Sequence, residues 1–241
     1  EDTNPFPHCV ESRISMAKKI GKKQRKAKRI PEPASYFIGS EGTKTEVLYF
    51  KWIADRLEKQ YSGFQGRIEV PSFHIKGIGS SNLRLLDDIE EYLKNDPMLY
   101  ENVWAVFDKD DVPLAYFDNA ITVAANKGWH TAWSNDSFEL WYLLHFEYLQ
   151  SGISREQYKQ KLTAHCNKVG IAKYEKNDPQ LIESLYPLSS VAIRNATRLE
   201  KNYAVWMPSS QRLPCTTVHH LVQELINLEA NVEQLRQQNN S

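Results

Sequence analysis

Two stretches of this chain place carboxylates where apolar strands end. In SYFIGSEGTKTEVLYF, residues 35–50, a short apolar strand runs out at Glu41 and turns straight into a helix. NVWAVFDKDD, residues 102–111, is a second apolar strand closed by Asp108, Asp110 and Asp111. A parallel α/β sheet gathers its ligands at the carboxyl ends of its strands, so two such neighbours would bring Glu41, Asp108 and Asp110 to one edge. In extended chain Asp108 and Asp110 face one way, with Lys109 between them. Three converging carboxylates repel one another, and Mg²⁺ or Mn²⁺ is the hard cation that relieves them. The plain alternative is a solvated turn, because a lone Asp-x-Asp is weak evidence of a metal site.

The surrounding periodicities position these groups. Apolar residues Val47, Leu48, Phe50, Trp52, Ile53 and Leu57 trace a helical stripe over 45–61. Thr43 can cap that helix with Glu46 completing a capping box, or Glu46 can approach the metal from the first turn. GSEGTKT fails the Walker A spacing, which excludes a P-loop; Lys44 is left to meet a phosphate or to stand solvated on the turn. A strand over 67–74, a glycine- and serine-rich loop, a helix over 82–94, a helix from Pro113 to Asn126 and a strand over 129–133 complete an alternating βαβαβαβ pattern. Ser134, Asn135 and Asp136 then end the fourth strand on the same edge as Glu41 and Asp108. The helix that follows, 137–150, carries Glu139 in an apolar first turn, where it needs solvent, a lysine or a metal. His145 on that helix reads as a packed histidine. Helices over 154–167, 179–203 and 217–236 form a cap on the last sheet edge, with Asn195, Arg198 and Lys201 sharing one face.

Four blocks carry a family resemblance: EGTKTEVLYF at 41–50, VWAVFDKDD at 103–111, SNDSFELWYLLHFEYL at 134–149 and CTTVHHLVQEL at 215–225. A strand ending in Glu-Gly followed by one ending in Asp-x-Asp is similar to the Toprim domain of topoisomerases, primases and overcoming-lysogenization-defect nucleases. More narrowly, the blocks in this order resemble the RloB (AbiLii-like) family of prokaryotic Toprim proteins. The resemblance implies a Toprim-like parallel sheet flanked by helices, with a C-terminal helical extension. Charge and periodicity divide the chain into a basic arm (1–33), an α/β domain (34–150) and a helical region (151–241). The resemblance further implies a Mg²⁺- or Mn²⁺-dependent nuclease, an effector of anti-phage defence or abortive infection working beside an ABC/SMC-like ATPase partner. Catalysis is expected from Glu41, Asp108, Asp110 and Glu139. One cation would sit on Asp108, Asp110 and Glu41, and a second between Glu41, Glu46 and Glu139. Two other readings stand beside it: a non-catalytic scaffold for nucleic acid and the ATPase, and a metal-dependent nucleotide phosphohydrolase.

Charge adds a partner. The chain holds 30 basic and 30 acidic residues, yet KKIGKKQRKAKR at 18–29 has eight basic residues and no acidic one. Residues 30–241 carry 21 basic against 27 acidic groups. A cationic arm made of Lys18, Lys19, Lys22, Lys23, Arg25, Lys26, Lys28 and Arg29 suits nucleic-acid phosphates; as a bland reading it is a solubilising tail. Met16 reads as a natural start, so residues 1–15 are expected to be a remnant or sequence from upstream of the true start. The three cysteines, Cys9, Cys166 and Cys215, fit no metal or disulfide pattern and suit a reducing cytoplasm. No apolar run reaches the ~20 residues that span a bilayer. Homodimerisation is compatible with the aromatics of the last helices.

Overall fold

The computed structural model describes residues 32–64 and 69–239. The basic arm at 18–29 lies outside them. The elements run β1 (Glu32–Ser40), α1 (Thr45–Tyr61), β2 (Ser72–Gly77), α2 (Asn82–Asn95), β3 (Tyr100–Asp108), α3 (Leu114–Asn126), β4 (His130–Asn135), α4 (Glu139–Leu144), α5 (Arg155–Lys168), α6 (Pro179–Leu185), α7 (Ser189–Lys201), β5 (Cys215–Thr216) and α8 (Val218–Asn239). The sheet order is β2-β1-β3-β4-β5, the first four strands parallel and β5 antiparallel to β4.

Period two along the inner strands explains the layering. Tyr36 and Ile38 of β1, with Trp104 and Val106 of β3, face a core shared with α1 and the C-terminal helices. Phe37, Val103, Ala105 and Phe107 face the opposite way, against α2 and α3. Strands covered on both faces must read as unbroken apolar runs, as YFI and VWAVF do. Helix α1 turns Tyr49, Phe50, Ile53 and Leu57 into the first core. Each such large side chain contributes about 1.5–3 kcal/mol on burial. The first core runs without a break from Tyr36 to Leu225, so residues on both sides of position 150 pack together.

Strand order reverses at β1: the chain leaves it through α1 toward β2, then crosses through α2 to β3 on its other side. A crevice opens outside the carboxyl ends of β1 and β3 at such a switch point. The Glu41 N–H donates to the Val106 carbonyl (2.8 Å) and the Ile78 N–H to that of Ser40 (2.8 Å), which ties the three strand ends together.

Three expectations are corrected. The helix foreseen over 137–150 is a short α4, because its backbone leaves the helix after Leu144. The helix foreseen over 179–203 is broken by a tight turn at Tyr186–Leu188, where Pro187 cannot donate the ladder bond of a continuous helix. Thr216 and Thr217 stand by sequence where a helix cap belongs, but Thr216 joins Cys215 in the edge strand β5 before Thr217 leads into α8. Among the described residues, no helix is long and apolar enough to cross a membrane.

Candidate metal centre

The turn after β1 and the ends of β3 and β4 bring Glu41, Glu46, Asp108 and Glu139 into one electrostatic cluster. Glu41 sits directly beyond β1, partly buried, and the Asp108 backbone N–H donates to its carboxylate. Its Oε2 is buried with no hydrogen-bond partner. Burial, with the charge of Glu46 added, pushes the Glu41 carboxyl up to about 7. Asp108 is the last residue of β3, and its Oδ2 accepts the Phe138 N–H at 3.0 Å. Desolvation first, then Glu46, Glu139 and Glu41, hold the Asp108 carboxyl well above the usual range. Glu46 is raised by burial and by Glu139, while Lys176 opposes the shift. Glu139 opens α4 and is 9 % exposed, with Lys176 Nζ 2.7 Å from its Oε1.

Such crowding is unfavourable without a counter-charge. Glu41, Glu46, Asp108 and Glu139 are all-oxygen donors of the kind Mg²⁺ or Mn²⁺ takes, and the buried, unpartnered Glu41 oxygen is the observation that favours a cation there. Glu41, Glu46, Asp108 and Glu139 are the residues that would hold it.

Glu46 takes no part in a capping box. Lys44, not Thr43, occupies the N-cap position of α1 and makes no side-chain cap bond. The Glu46 carboxylate instead accepts its own backbone N–H and folds back over Gly42, into the space a Cβ there would need. Gly42→Ala therefore displaces only the mobile end of Glu46. We expect Mn²⁺ affinity to fall about 10- to 100-fold, with little change in thermal stability, by calorimetry and melting. A Cβ on Gly77 would lie 2.6 Å from the Thr43 Cα, which is backbone and cannot yield. Gly77→Ala should instead cost about 1–3 kcal/mol of stability.

Asp110 stands differently from its foreseen place. Strand β3 stops at Asp108, and Asp110 adopts φ +42, so the alternation that would aim both aspartates one way is lost. The Asp110 carboxylate pairs with the Arg155 guanidinium, and its N–H donates to the Asp136 carbonyl. Asp111 and Lys44 are exposed. His145 is buried and neutral, its Nδ1 2.9 Å from the Trp141 carbonyl and its pKa lowered to about 4 by burial. Asn195 donates to the Leu144 carbonyl and Arg198 lies over the Tyr148 ring, so the face they share with Lys201 serves packing.

Several neighbours of the centre escaped the sequence reading. Tyr142 follows Glu139 by three residues on one helical face, a spacing that could have flagged it. Tyr174 and Lys176 belong to the loop between α5 and α6, which has no periodicity to read. The hydroxyls of Tyr142 and Tyr174 are buried without hydrogen-bond partners, and the charges of Glu46 and Glu139 help push both phenols up. Beside Glu139 opens a cleft of about 650 Å³, lined by Arg155, Lys159, Lys173, Tyr174, Lys176 and Asn177 with Glu156 and Glu175.

Fold and site together define a doubly wound α/β protein with an acidic centre at the switch point of its sheet. The RloB-like protein family matches residues 36–225, more than three quarters of the sequence, and the chain belongs to that family. No curated protein and no solved structure matches it significantly.

Proposed function

We propose that this RloB-like protein is a Mg²⁺- or Mn²⁺-dependent nuclease that hydrolyses phosphodiesters at the carboxyl ends of β1 and β3. The observation that carries the reading is the buried, unpartnered Glu41 oxygen within a cluster of four carboxylates at the switch point. When bound, the cation supplies charge neutralisation and Lewis-acid polarisation at the phosphodiester. The chain's own groups do the rest. Asp108, Glu139, Glu46 and Glu41 bind the ion, and Phe138 keeps the Asp108 carboxylate in place through its N–H. A Glu41 carboxyl near 7 in the metal-free chain gives up its proton on ligating the ion; where Glu41 stays off the ion, it can act as a general acid instead. Asp110 positions Arg155 at the rim of the cleft. Arg155, Lys159, Lys173 and Lys176 line a path for a polyanionic backbone leading to Glu139.

The cationic wall makes a separable prediction. Replacing Lys159 and Lys173 together by alanine should weaken oligonucleotide binding and reduce the slope of log K against log salt by about 1.4–1.8. Unchanged salt dependence would remove the cleft from the substrate path. The basic arm at 18–29 belongs to the same proposal, and its deletion is scored by the same slope.

A nucleotide phosphohydrolase is the second reading, because a cleft of about 650 Å³ is within the size range of small-molecule sites. Incubating the purified chain with single- and double-stranded DNA, tRNA and nucleoside triphosphates, with Mn²⁺, Mg²⁺ or chelator, separates the readings. The nuclease account expects metal-dependent loss of the polymers. Release of inorganic phosphate from nucleotides alone favours the second reading. If nothing turns over even with the proposed ATPase partner added, and Asp108→Ala leaves anti-phage protection intact, the scaffold reading replaces both.

A further inference from the structure

At the other end of β4 from the carboxylates lies a second group of metal-binding side chains. Glu200 is in the last turn of α7, and His219 and His220 are in the first turn of α8. Glu200 Oε2 is 3.3 Å from His219 Nε2 and 3.1 Å from His220 Nε2, and the two imidazole rings are 4.1 Å apart. We propose that Glu200, His219 and His220 form a Zn²⁺ site that clips the end of α7 to the start of α8.

The hydrogen-bond inventory points to a cation. His219 Nδ1 is 3.1 Å from the Thr216 carbonyl oxygen, which can only accept, so Nδ1 carries the hydrogen. A neutral imidazole then has a lone pair on Nε2, and that lone pair faces the Glu200 carboxylate, another acceptor. Only an imidazolium or a metal ion satisfies that contact. His219 is 3 % exposed, so that contact is closed to bulk water. The bond from Nδ1 to a backbone carbonyl is the outer contact that orients metal-ligating histidines.

The two distances from Glu200 to the histidines agree. Bonds of about 2.0–2.1 Å in a tetrahedral Zn²⁺ site set the ligand atoms about 3.3 Å apart. Two imidazoles and a carboxylate are the donors of three-ligand zinc sites that leave a fourth position open. His220, whose side chain is 52 % exposed, lines a cavity with Trp129, His130 and Thr131, from which water could reach that position. Thr217, between β5 and His219, donates its N–H to the Trp133 carbonyl at 2.8 Å. An ion here would therefore brace the whole connection from α7 through β5 to α8.

The full chain, stripped with chelator, is titrated with Zn²⁺ by calorimetry and melting and with Co²⁺ by visible absorption, both as wild type and as Asp108→Asn. Because the Asp108 charge belongs to the other centre, both forms should bind one Zn²⁺ here with a rise in Tm and visible Co²⁺ bands. His220→Ala, at a half-exposed position that tolerates truncation, and Glu200→Gln should each lower this affinity at least about 100-fold with the circular dichroism unchanged. Zn²⁺ uptake insensitive to both substitutions would overturn the site. So would a natively folded chain that takes up no Zn²⁺ in the Asp108→Asn background, which would leave the triad held by protons alone.

Discussion

Asp108→Asn is expected to lower the proposed metal-dependent phosphodiester cleavage about a thousandfold and to leave the protein folded. The amide oxygen can still accept the Phe138 N–H, so the anchor survives while the charge that would hold the cation is lost. Losing a metal contact worth about 4 kcal/mol in the transition state gives a factor of this size. The same change removes one of four mutually repelling carboxylates, so the metal-free variant should be at least as stable as wild type. Asp110→Asn provides the contrast. It weakens a pair with Arg155 at the cleft rim, and the expected loss is tenfold or less, read mainly in KM. Equal damage from the two substitutions, in a cleavage assay with circular dichroism as the folding control, would restore Asp110 to the centre.

Glu41→Gln is expected to stabilise the metal-free protein above neutral pH and to remove most of the proposed response to Mn²⁺. The folded-state carboxyl is raised to about 7 from an ordinary 4.5, so the native state binds the extra proton. Stability from this group is present at low pH and is lost as pH rises through that window. Glu46 and Asp108 are raised too and act in the same direction. His145 acts oppositely: a neutral imidazole lowered to about 4 contributes stability that is lost as pH falls from 6.5. The difference between wild type and Glu41→Gln isolates the carboxylate. After discounting for partial solvent screening it should reach about 1–2 kcal/mol at pH 8. That corresponds to about 2–8 °C in Tm, vanishing near pH 4.5. Mn²⁺ should raise the Tm of wild type most at pH 8, where the carboxylates are ionised. A difference independent of pH would mean that Glu41 is not desolvated in the folded state.

The parallel sheet was legible because its inner strands are buried on both faces, which leaves apolar runs such as YFI and VWAVF closed by carboxylates. The residues of α1 were read to their ends from one helical stripe, 45–61 in both accounts. Glu41, Asp108 and Glu139 follow from position alone, since strand ends and the first turn of the next helix share an edge by topology. Asp110 misled because alternation is a property of extended chain, and the backbone leaves the strand one residue after Asp108. Lys176 and Tyr174 could not be foreseen: they reach the centre through a long-range loop with no pattern. The two-residue β5 was invisible for a related reason, its pairing being set by Ser134 and Asn135, some eighty positions away. The histidine pair at 219–220 was noticed in the sequence without a role. Its partner Glu200 is supplied by the packing of α7 beside α8.

A crystal soaked in Mn²⁺ tests the central claim most directly. Anomalous density should mark an ion coordinated by oxygens of Glu41 and Asp108, with Glu46 or Glu139 completing the set and Lys176 displaced from Glu139. Density confined to other parts of the molecule, with the Glu41 and Asp108 carboxylates left protonated and unliganded at pH 8, would contradict the account.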